Sequence, residues 1–372
     1  MSVLFIGKRF YTDRDALREK YGRIFQLPWH WSSAGIHTRL WLVDYHGHKS
    51  VHERDNGLEI ISTPVRNLSV FRRWIAQSFA RKDKPNVVVA SGDCYIGLMA
   101  YWIARSLRAR FVFDVYDKYD EFGGYRRLAG VDLFRYLLSR ADMRLFASRG
   151  LMHDFAAGAE RDILVPNGVD MQRFVPGNQR ESRRAIGLPE DTLLVGYFGG
   201  MEPDRGVGDL IDAIQELRSG GVDVELLLGG KEVLGLDVHR SGIRYLGNVP
   251  YDRMPTTLAS CDLLAVPYRR SAFMDSGASN KIAEAIACRR PLVATRTPNL
   301  VANFPDQAER LTKLLALPGD SSDLARVILA QSVQRVLVDM PAAMSWEDIS
   351  MHTAQRLSLV RGLSPSNENV VE

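Results

Sequence analysis

The residues from Ser271 to Thr295, SAFMDSGASNKIAEAIACRRPLVAT, bring small side chains, a lysine and a glutamate together in a spacing suited to an anionic ligand. Ser276, Gly277, Ala278 and Ser279 make a loop of small residues, which lets backbone N–H groups come close to a ligand. The pattern predicts a helix over 280–288, with Ser279 or Asn280 as its N-cap. Pro291 stops that helix, and Leu292-Val293-Ala294-Thr295 reads as a buried strand. Lys281 and Glu284 lie three apart and share a helix face, while Ile282 and Ile286 form an apolar one. A helix start carries N–H groups and a partial positive charge, so it suits phosphate. Lysine can meet a phosphate there, and glutamate can accept from a sugar diol. A capped surface helix with a Lys281–Glu284 salt bridge is the alternative reading.

The same stretch resembles the donor-binding segment of family-four retaining glycosyltransferases, sugar-nucleotide-dependent enzymes of the GT-B class. That segment usually holds two glutamates eight positions apart, a small-residue helix and a Pro-Val-Val-Ala-Thr strand. The second glutamate is Glu284 here, and Ser276, beside Asp275, stands at the first position. The resemblance implies a ribose contact for Glu284 and a donor sugar near Ser276. It covers nearly the whole chain and is strongest over 163–295. Ile163–Pro176, ILVPNGVDMQRFVP, is similar to the family's strand-to-linker segment, and the Ser-Trp-Glu at 345–347 to the start of its terminal helix.

Further site candidates follow from strand ends and from the resemblance. Gly199 and Gly200 end one strand, and Arg205-Gly206 resembles a family pair whose basic residue meets the diphosphate. An arginine fork suits that role because it donates two hydrogen bonds to phosphate oxygens. Gly230 ends the next strand, and Val249 lies in a turn that in the family faces the nucleotide base. In the first half, Asp93 sits at the carboxyl end of the strand over 86–90, the edge where open α/β sheets bind ligands. Tyr116 and Asp117 occupy the place of a family His-Asp pair, with Asp120 nearby. Gly22 and Arg23 resemble the family's opening Gly-Arg loop. Arg205 and Lys281, with the amides around Ser276–Asn280, are thus expected to stabilise a departing diphosphate, and Tyr116 and Asp117 to contact the donor sugar or the acceptor.

The elements that must position these residues alternate. Strands are predicted over 3–7, 38–44, 58–61, 86–90, 110–115 and 141–148, with helices over 24–34, 68–82, 95–107 and 133–139. The pattern restarts with strands over 193–198, 222–230, 243–247, 262–267 and 292–295. This implies an α/β protein of GT-B type, two Rossmann-like domains facing a central cleft. The expected division is 1–175 on the acceptor side, a linker at 176–190, a nucleotide-sugar domain at 191–344, a helix at 345–362 crossing back to the first domain, and a polar tail at 363–372.

With 372 residues, 46% hydrophobic and 25% charged, the chain has a globular composition. Cys94, Cys261 and Cys288 have no metal-like spacing, which suggests a reducing compartment without disulfides. No apolar run approaches a membrane span. The net charge of +4 divides unevenly: 26 Lys+Arg against 19 Asp+Glu in residues 1–170, and 22 against 25 in the rest. Residues 66–84 hold six basic side chains and one acid around Phe71, Trp74, Ile75 and Phe79, either an anionic-membrane surface helix or a domain helix with its stripe in the core.

The chain is therefore expected to be a metal-independent glycosyltransferase without a cofactor. It would move a sugar, with retention, from a nucleotide diphosphate sugar to a lipid-linked or saccharide acceptor, in the cytoplasm or at the inner membrane face. No zinc spacing or aromatic–basic motif points to nucleic acid. A sugar-nucleotide epimerase of the same fold, an inactive sugar-nucleotide-binding protein and an unrelated α/β nucleotide-binding protein stay open.

Overall fold

A computed structural model describes residues 1–11, 14–66, 68–121, 127–128, 130–157 and 160–359. The tail at 363–372 lies outside them. The chain divides into two compact units, one of Met1–Gly168 with the segment from Ser345, the other of Val169–Met344. The expected linker at 176–190 falls inside the second unit, and Gln179–Ala185 within it is helical, capped by the Asn178 side chain. Charged and proline-rich composition alone does not separate a linker from a short helix that buries Ser182 and Arg183.

The first unit is built on strands β1 (Ser2–Lys8), β2 (His37–Asp44), β3 (Val51–Asp55), β4 (Leu58–Pro64), β5 (Val87–Ser91), β6 (Arg110–Val115), β7 (Met143–Phe146) and β8 (Asp162–Leu164). Their order across the sheet is β8-β7-β6-β5-β1-β2-β4-β3. All neighbours are parallel except β3, which runs antiparallel to β4. The continuous apolar runs of β1 and β5 are buried throughout their centres, as a sheet covered on both faces requires. Helices α1 (Gly22–Ser33), α2 (Ser69–Ser78) and α3 (Cys94–Leu107) belong to this unit.

In the second unit, β9 (Leu193–Phe198), β10 (Val224–Gly229), β11 (Ile243–Tyr245), β12 (Leu263–Val266), β13 (Leu292–Thr295) and β14 (Leu315–Ala316) form a parallel sheet in the order β11-β10-β9-β12-β13-β14. Its helices include α4 (Val207–Ser219), α5 (Ala272–Ser276), α6 (Asn280–Ala287) and α7 (Ser321–Gln334). Register pairs Phe198 with Gly229 and Val266 with Ala294. Consequently Gly199, Gly230, Pro267 and Thr295 leave the sheet along one carboxyl edge, the edge on which parallel sheets carry ligands.

The last described helix, α8 (Trp346–Arg356), returns to the first unit. It packs on α1, and the buried Trp31 indole donates to the Ser350 carbonyl at 2.8 Å.

Candidate functional site

At the carboxyl edge of the second sheet, three chain segments converge on Lys281. Lys281 lies in the first turn of α6 and reaches back over the sheet. Its Nζ sits 5.5 Å from the Tyr197 ring and 5.7 Å from the Tyr268 ring, and donates to the Tyr268 hydroxyl at 3.3 Å. Beneath it is Gly199, where an added Cβ would stand 2.6 Å from Nζ. The ammonium therefore fills a slot made of two aromatic faces and a bare backbone, an arrangement that favours a cation. Tyr197 donates its hydroxyl to the Gly200 carbonyl, so the turn after β9 is pinned by the ring that receives Lys281.

Arg205 arrives from the other side. Its guanidinium carbon lies 5.7 Å from the Tyr268 ring and 5.8 Å from that of Phe273, with Glu202 at 3.5 Å. The segment holding it is tied down at several points. Asp204 accepts from the Ser271 hydroxyl at 3.1 Å and, through its carbonyl, from the Arg269 amide at 2.9 Å. Arg269 in turn grips Asp209 on α4 with two hydrogen bonds of 2.7 and 2.5 Å. Gly206 has φ +69, and a Cβ there would collide with the Pro267 carbonyl. Close backbone contact and the left-handed conformation both demand glycine at that position.

The expected loop of small residues is found at 277–279, while Ser276 instead ends a short helix over Ala272–Ser276. Ser271 caps this short helix, α5, by accepting from the Met274 amide at 3.1 Å. Asp275 is held by Arg270 at 2.8 Å. Ser276 is buried, and Gly277 follows in extended backbone. Asn299 fixes this stretch: its Nδ2 donates to the Met274 carbonyl at 2.9 Å and its Oδ1 accepts from the Ser279 amide at 3.2 Å. Ser279 is the N-cap of α6, yet its side chain makes no cap hydrogen bond and instead meets the Tyr268 hydroxyl at 2.8 Å. Asn280 and Glu284, half-buried, lie on the same short helix as Lys281.

Gly230 completes the edge. It has φ +146, donates to the Gly247 carbonyl at 2.8 Å, and leaves no room for a Cβ against the Gly199 carbonyl. Val249 is buried and packs over Gly229. The structure thus gathers Gly199, Gly200, Arg205, Gly230, Lys281 and the Ser276–Asn280 stretch in one unit. Tyr197, Tyr268, Phe273 and Asn299 are additional residues of this cluster. Tyr268 follows β12 by two residues, so its place at a strand exit was the available signal.

In the first unit, candidates fare differently. Arg23 is not an open phosphate ligand: it is 4% exposed, bonds Asp114 through Nε at 3.0 Å and Nη2 at 2.7 Å, and reaches the Val165 carbonyl and Asn167 at 2.9 and 3.1 Å. Asp114 also accepts from Ser91 at 2.5 Å. Register of β5 and β6 sets Ser91 beside Asp114, so the arginine joins α1 to the sheet centre. Asp93 is likewise a support. It caps α3 by accepting from the Tyr95 and Ile96 amides and takes a 2.9 Å hydrogen bond from Tyr45. Gly22 begins α1 at φ +70 with open space around it.

Tyr116 packs edge-on against Tyr11 and Tyr119, with ring centroids 4.9 and 5.6 Å away. Burial pushes its phenol far above the ordinary tyrosine range, so the hydroxyl keeps its proton near neutral pH. Asp117, half-buried, accepts from the Tyr11 hydroxyl at 3.3 Å. Asp120 lies 3.8 Å from the Lys118 ammonium, which also pairs with Asp154 at 3.0 Å. Among the described residues no group of three or more His, Cys, Asp or Glu has metal-holding geometry.

Residues 192–331 match the sequence family described as glycosyl transferases group 1. The chain is 27% identical over 177 residues to a GDP-mannose-dependent monoacylated α-(1-6)-phosphatidylinositol monomannoside mannosyltransferase of Corynebacterium glutamicum, covering 44% of this chain and 45% of that protein. It spans about half the length of the curated relatives it matches. Its fold is similar to sucrose-phosphate synthase from Thermosynechococcus elongatus, with a TM-score of 0.70 at 15% identity over 96% of this chain and 98% of the other. It is also similar to Anabaena Alr3699/HepE, solved with UDP and glucose, with a TM-score of 0.63 at 15% identity over 96% and 97% of the two chains. These neighbours have the GT-B fold, and the fold of this chain is theirs.

Proposed function

We propose, for a chain whose residues 192–331 match the group 1 glycosyltransferases, that it transfers a sugar from a nucleotide diphosphate sugar to an acceptor hydroxyl with retention. The observation that carries this reading is the pair of cations on Tyr268: Arg205 and Lys281 both stand 5.7 Å from its ring, at the carboxyl edge of a parallel sheet. Two positive side chains beside glycine turns and a helix start form a receptor for two linked phosphates. As the glycosidic bond to the leaving diphosphate breaks, negative charge grows on the phosphate oxygens. Cations already fixed in place stabilise that charge without reorganising, which is electrostatic catalysis.

In this reading Glu284 accepts from the ribose, Ser276 and Gly277 border the donor sugar, and Val249 lies against the base. The donor is a co-substrate, and the chemistry calls on no further cofactor or metal. Asp117 and Asp120 remain the acceptor-side candidates of the first unit. The acceptor is a lipid-linked or saccharide hydroxyl. Support for the lipid comes from the surface of α2, where Phe71, Ile75 and Phe79 are exposed among basic residues. The protein would then work from the cytoplasm at an anionic membrane face.

A second reading, a sugar-nucleotide-binding protein without transfer, is favoured by Ser276 standing where an acid would touch the sugar. One assay separates the readings: nucleoside diphosphate release from a panel of nucleotide sugars, with and without lipid and saccharide acceptors. Acceptor-dependent release supports transfer. Tight donor binding without release supports the second reading, and donor conversion without acceptor points to an epimerase.

A further inference from the structure

Arg205 and Lys281 are not independent charges on two loops. Both are mounted on one side chain. Tyr268 is 1% exposed, its backbone carbonyl is held by Thr295 Oγ1 at 2.6 Å, and its ring receives both cations at 5.7 Å. The hydroxyl adds a third tie, accepting from Lys281 Nζ at 3.3 Å, and a fourth to Ser279 Oγ at 2.8 Å. We propose that Tyr268 is the positioning residue that sets Arg205 and Lys281 as one doubly charged receptor for a diphosphate.

Physical chemistry favours a phenol in this role. Two cations brought together repel, and something must hold them while the site is empty. A buried carboxylate in its place would hold both too well, because a charged pair must be broken before phosphate can bind; the exposed Glu202 meets Arg205 alone, at 3.5 Å. A neutral ring face and a hydroxyl attract cations weakly and release them to an anion. The phenol registers the arrangement. Burial alone would raise its pKa, yet the charges of Lys281 and Arg205 outweigh burial and hold it below the ordinary tyrosine value. By engaging Ser279, the same hydroxyl also keeps the N-cap side chain off the first turn of α6.

This inference rests on the reading that the two cations meet the donor's diphosphate. The test combines two measurements. Calorimetric titration with UDP, GDP and ADP compares wild type, Tyr268→Phe, Lys281→Ala and the double variant. Tyr268→Phe keeps the ring and removes the hydroxyl, so affinity should fall about three- to tenfold. The double variant should bind no worse than Lys281→Ala alone, since the hydroxyl acts through the lysine. Additive losses overturn the proposal while leaving the reading of the site intact. A wild type that binds none of the three nucleotides overturns both.

The second measurement needs no ligand. In a protein carrying ¹³Cζ-tyrosine, the resonance lost in Tyr268→Phe should titrate below the ordinary tyrosine range in wild type. It should move upward in Arg205→Ala and again in Lys281→Ala. A resonance indifferent to both changes overturns the coupling whatever the nucleotide result. Ser279→Ala, which removes the other partner of the hydroxyl, assigns the same resonance if Tyr268→Phe does not fold.

Discussion

Gly199 and Lys281 compete for one space: a side chain on Gly199 would enter the volume that the Lys281 ammonium fills. The glycine also holds φ +136, a conformation that other residues avoid. Gly199→Ala should therefore act at a distance in sequence, by expelling the tip of Lys281 from between Tyr197 and Tyr268. The strained backbone should cost about 1–3 kcal/mol of stability. Nucleoside diphosphate binding should fall as far as it does in Lys281→Ala. Calorimetry on the folded variant decides, and wild-type binding would sink the idea.

Arg205→Ala and Lys281→Ala should lower turnover more than they damage folding, because both side chains serve charge that appears as the leaving group departs. Losing one charged hydrogen bond of this kind costs about 1.5–3 kcal/mol, or roughly ten- to a hundredfold. Steady-state kinetics beside thermal melting separates the two effects. Unchanged kcat in both variants would count against the site.

Glu284→Ala tests the ribose assignment. The affinity for a nucleoside diphosphate should drop roughly tenfold or more, while that for inorganic pyrophosphate should not change. Equal loss of both would mean that the variant disturbs α6 as a whole rather than a ribose contact.

Arg23 separates fold from function. Its guanidinium lies in a buried network with Asp114, Val165 and Asn167, so Arg23→Met leaves a buried carboxylate without its cation. Breaking such a pair typically costs about 3–5 kcal/mol. Chemical denaturation should show that loss. A variant as stable as wild type would show that the network contributes nothing to holding α1 on the sheet.

What the sequence revealed and what it concealed follow one physical line. Parallel strands buried on both faces must be continuous apolar runs, so β5, β9 and β13 were readable from composition alone. Strand β3, VHERD, alternates and lies at the sheet edge, and it was overlooked. Its hairpin signal was nonetheless present: Asn56 and Gly57, both at positive φ, make the two-residue turn into β4. Polarity at a strand exit proved ambiguous. Arg23 and Asp93 were polar for the sake of burial and capping, and nothing in their spacing said so. Tyr197 and Tyr268 stand in or just beyond buried strands, where nothing in the sequence sets them apart from core aromatics. They meet the cations only because β9 and β12, far apart in sequence, are neighbours in the sheet.

The same ambiguity bears on α2, whose apolar stripe is divided between core and surface. Trp74 is half-buried against the core and Gln77 is buried, while Phe71, Ile75 and Phe79 are exposed by 51%, 43% and 70%. Arg66, Arg72, Arg81, Lys82 and Lys84 are exposed around them, with Asp83 the acid among them. Among the described residues no helix is long and apolar enough to cross a membrane. An exposed apolar face within a basic rim suits the boundary of an anionic bilayer. Each basic residue near such a surface contributes about 1 kcal/mol, enough together for reversible attachment. Wild type should sediment with phosphatidylglycerol-rich vesicles at low salt and release as salt rises, because screening shortens the reach of these charges. The residues to reverse are Arg72, Arg81 and Lys82. Arg73 is unsuitable, since its guanidinium stacks 5.9 Å from the Trp41 ring and burial lowers its proton affinity. The triple glutamate variant should stay in the supernatant while binding nucleoside diphosphate normally, and Phe71→Ser with Phe79→Ser should weaken attachment without changing its salt dependence. Wild type that ignores the vesicles at low salt would make this face a solvated one and shift the acceptor toward a soluble saccharide.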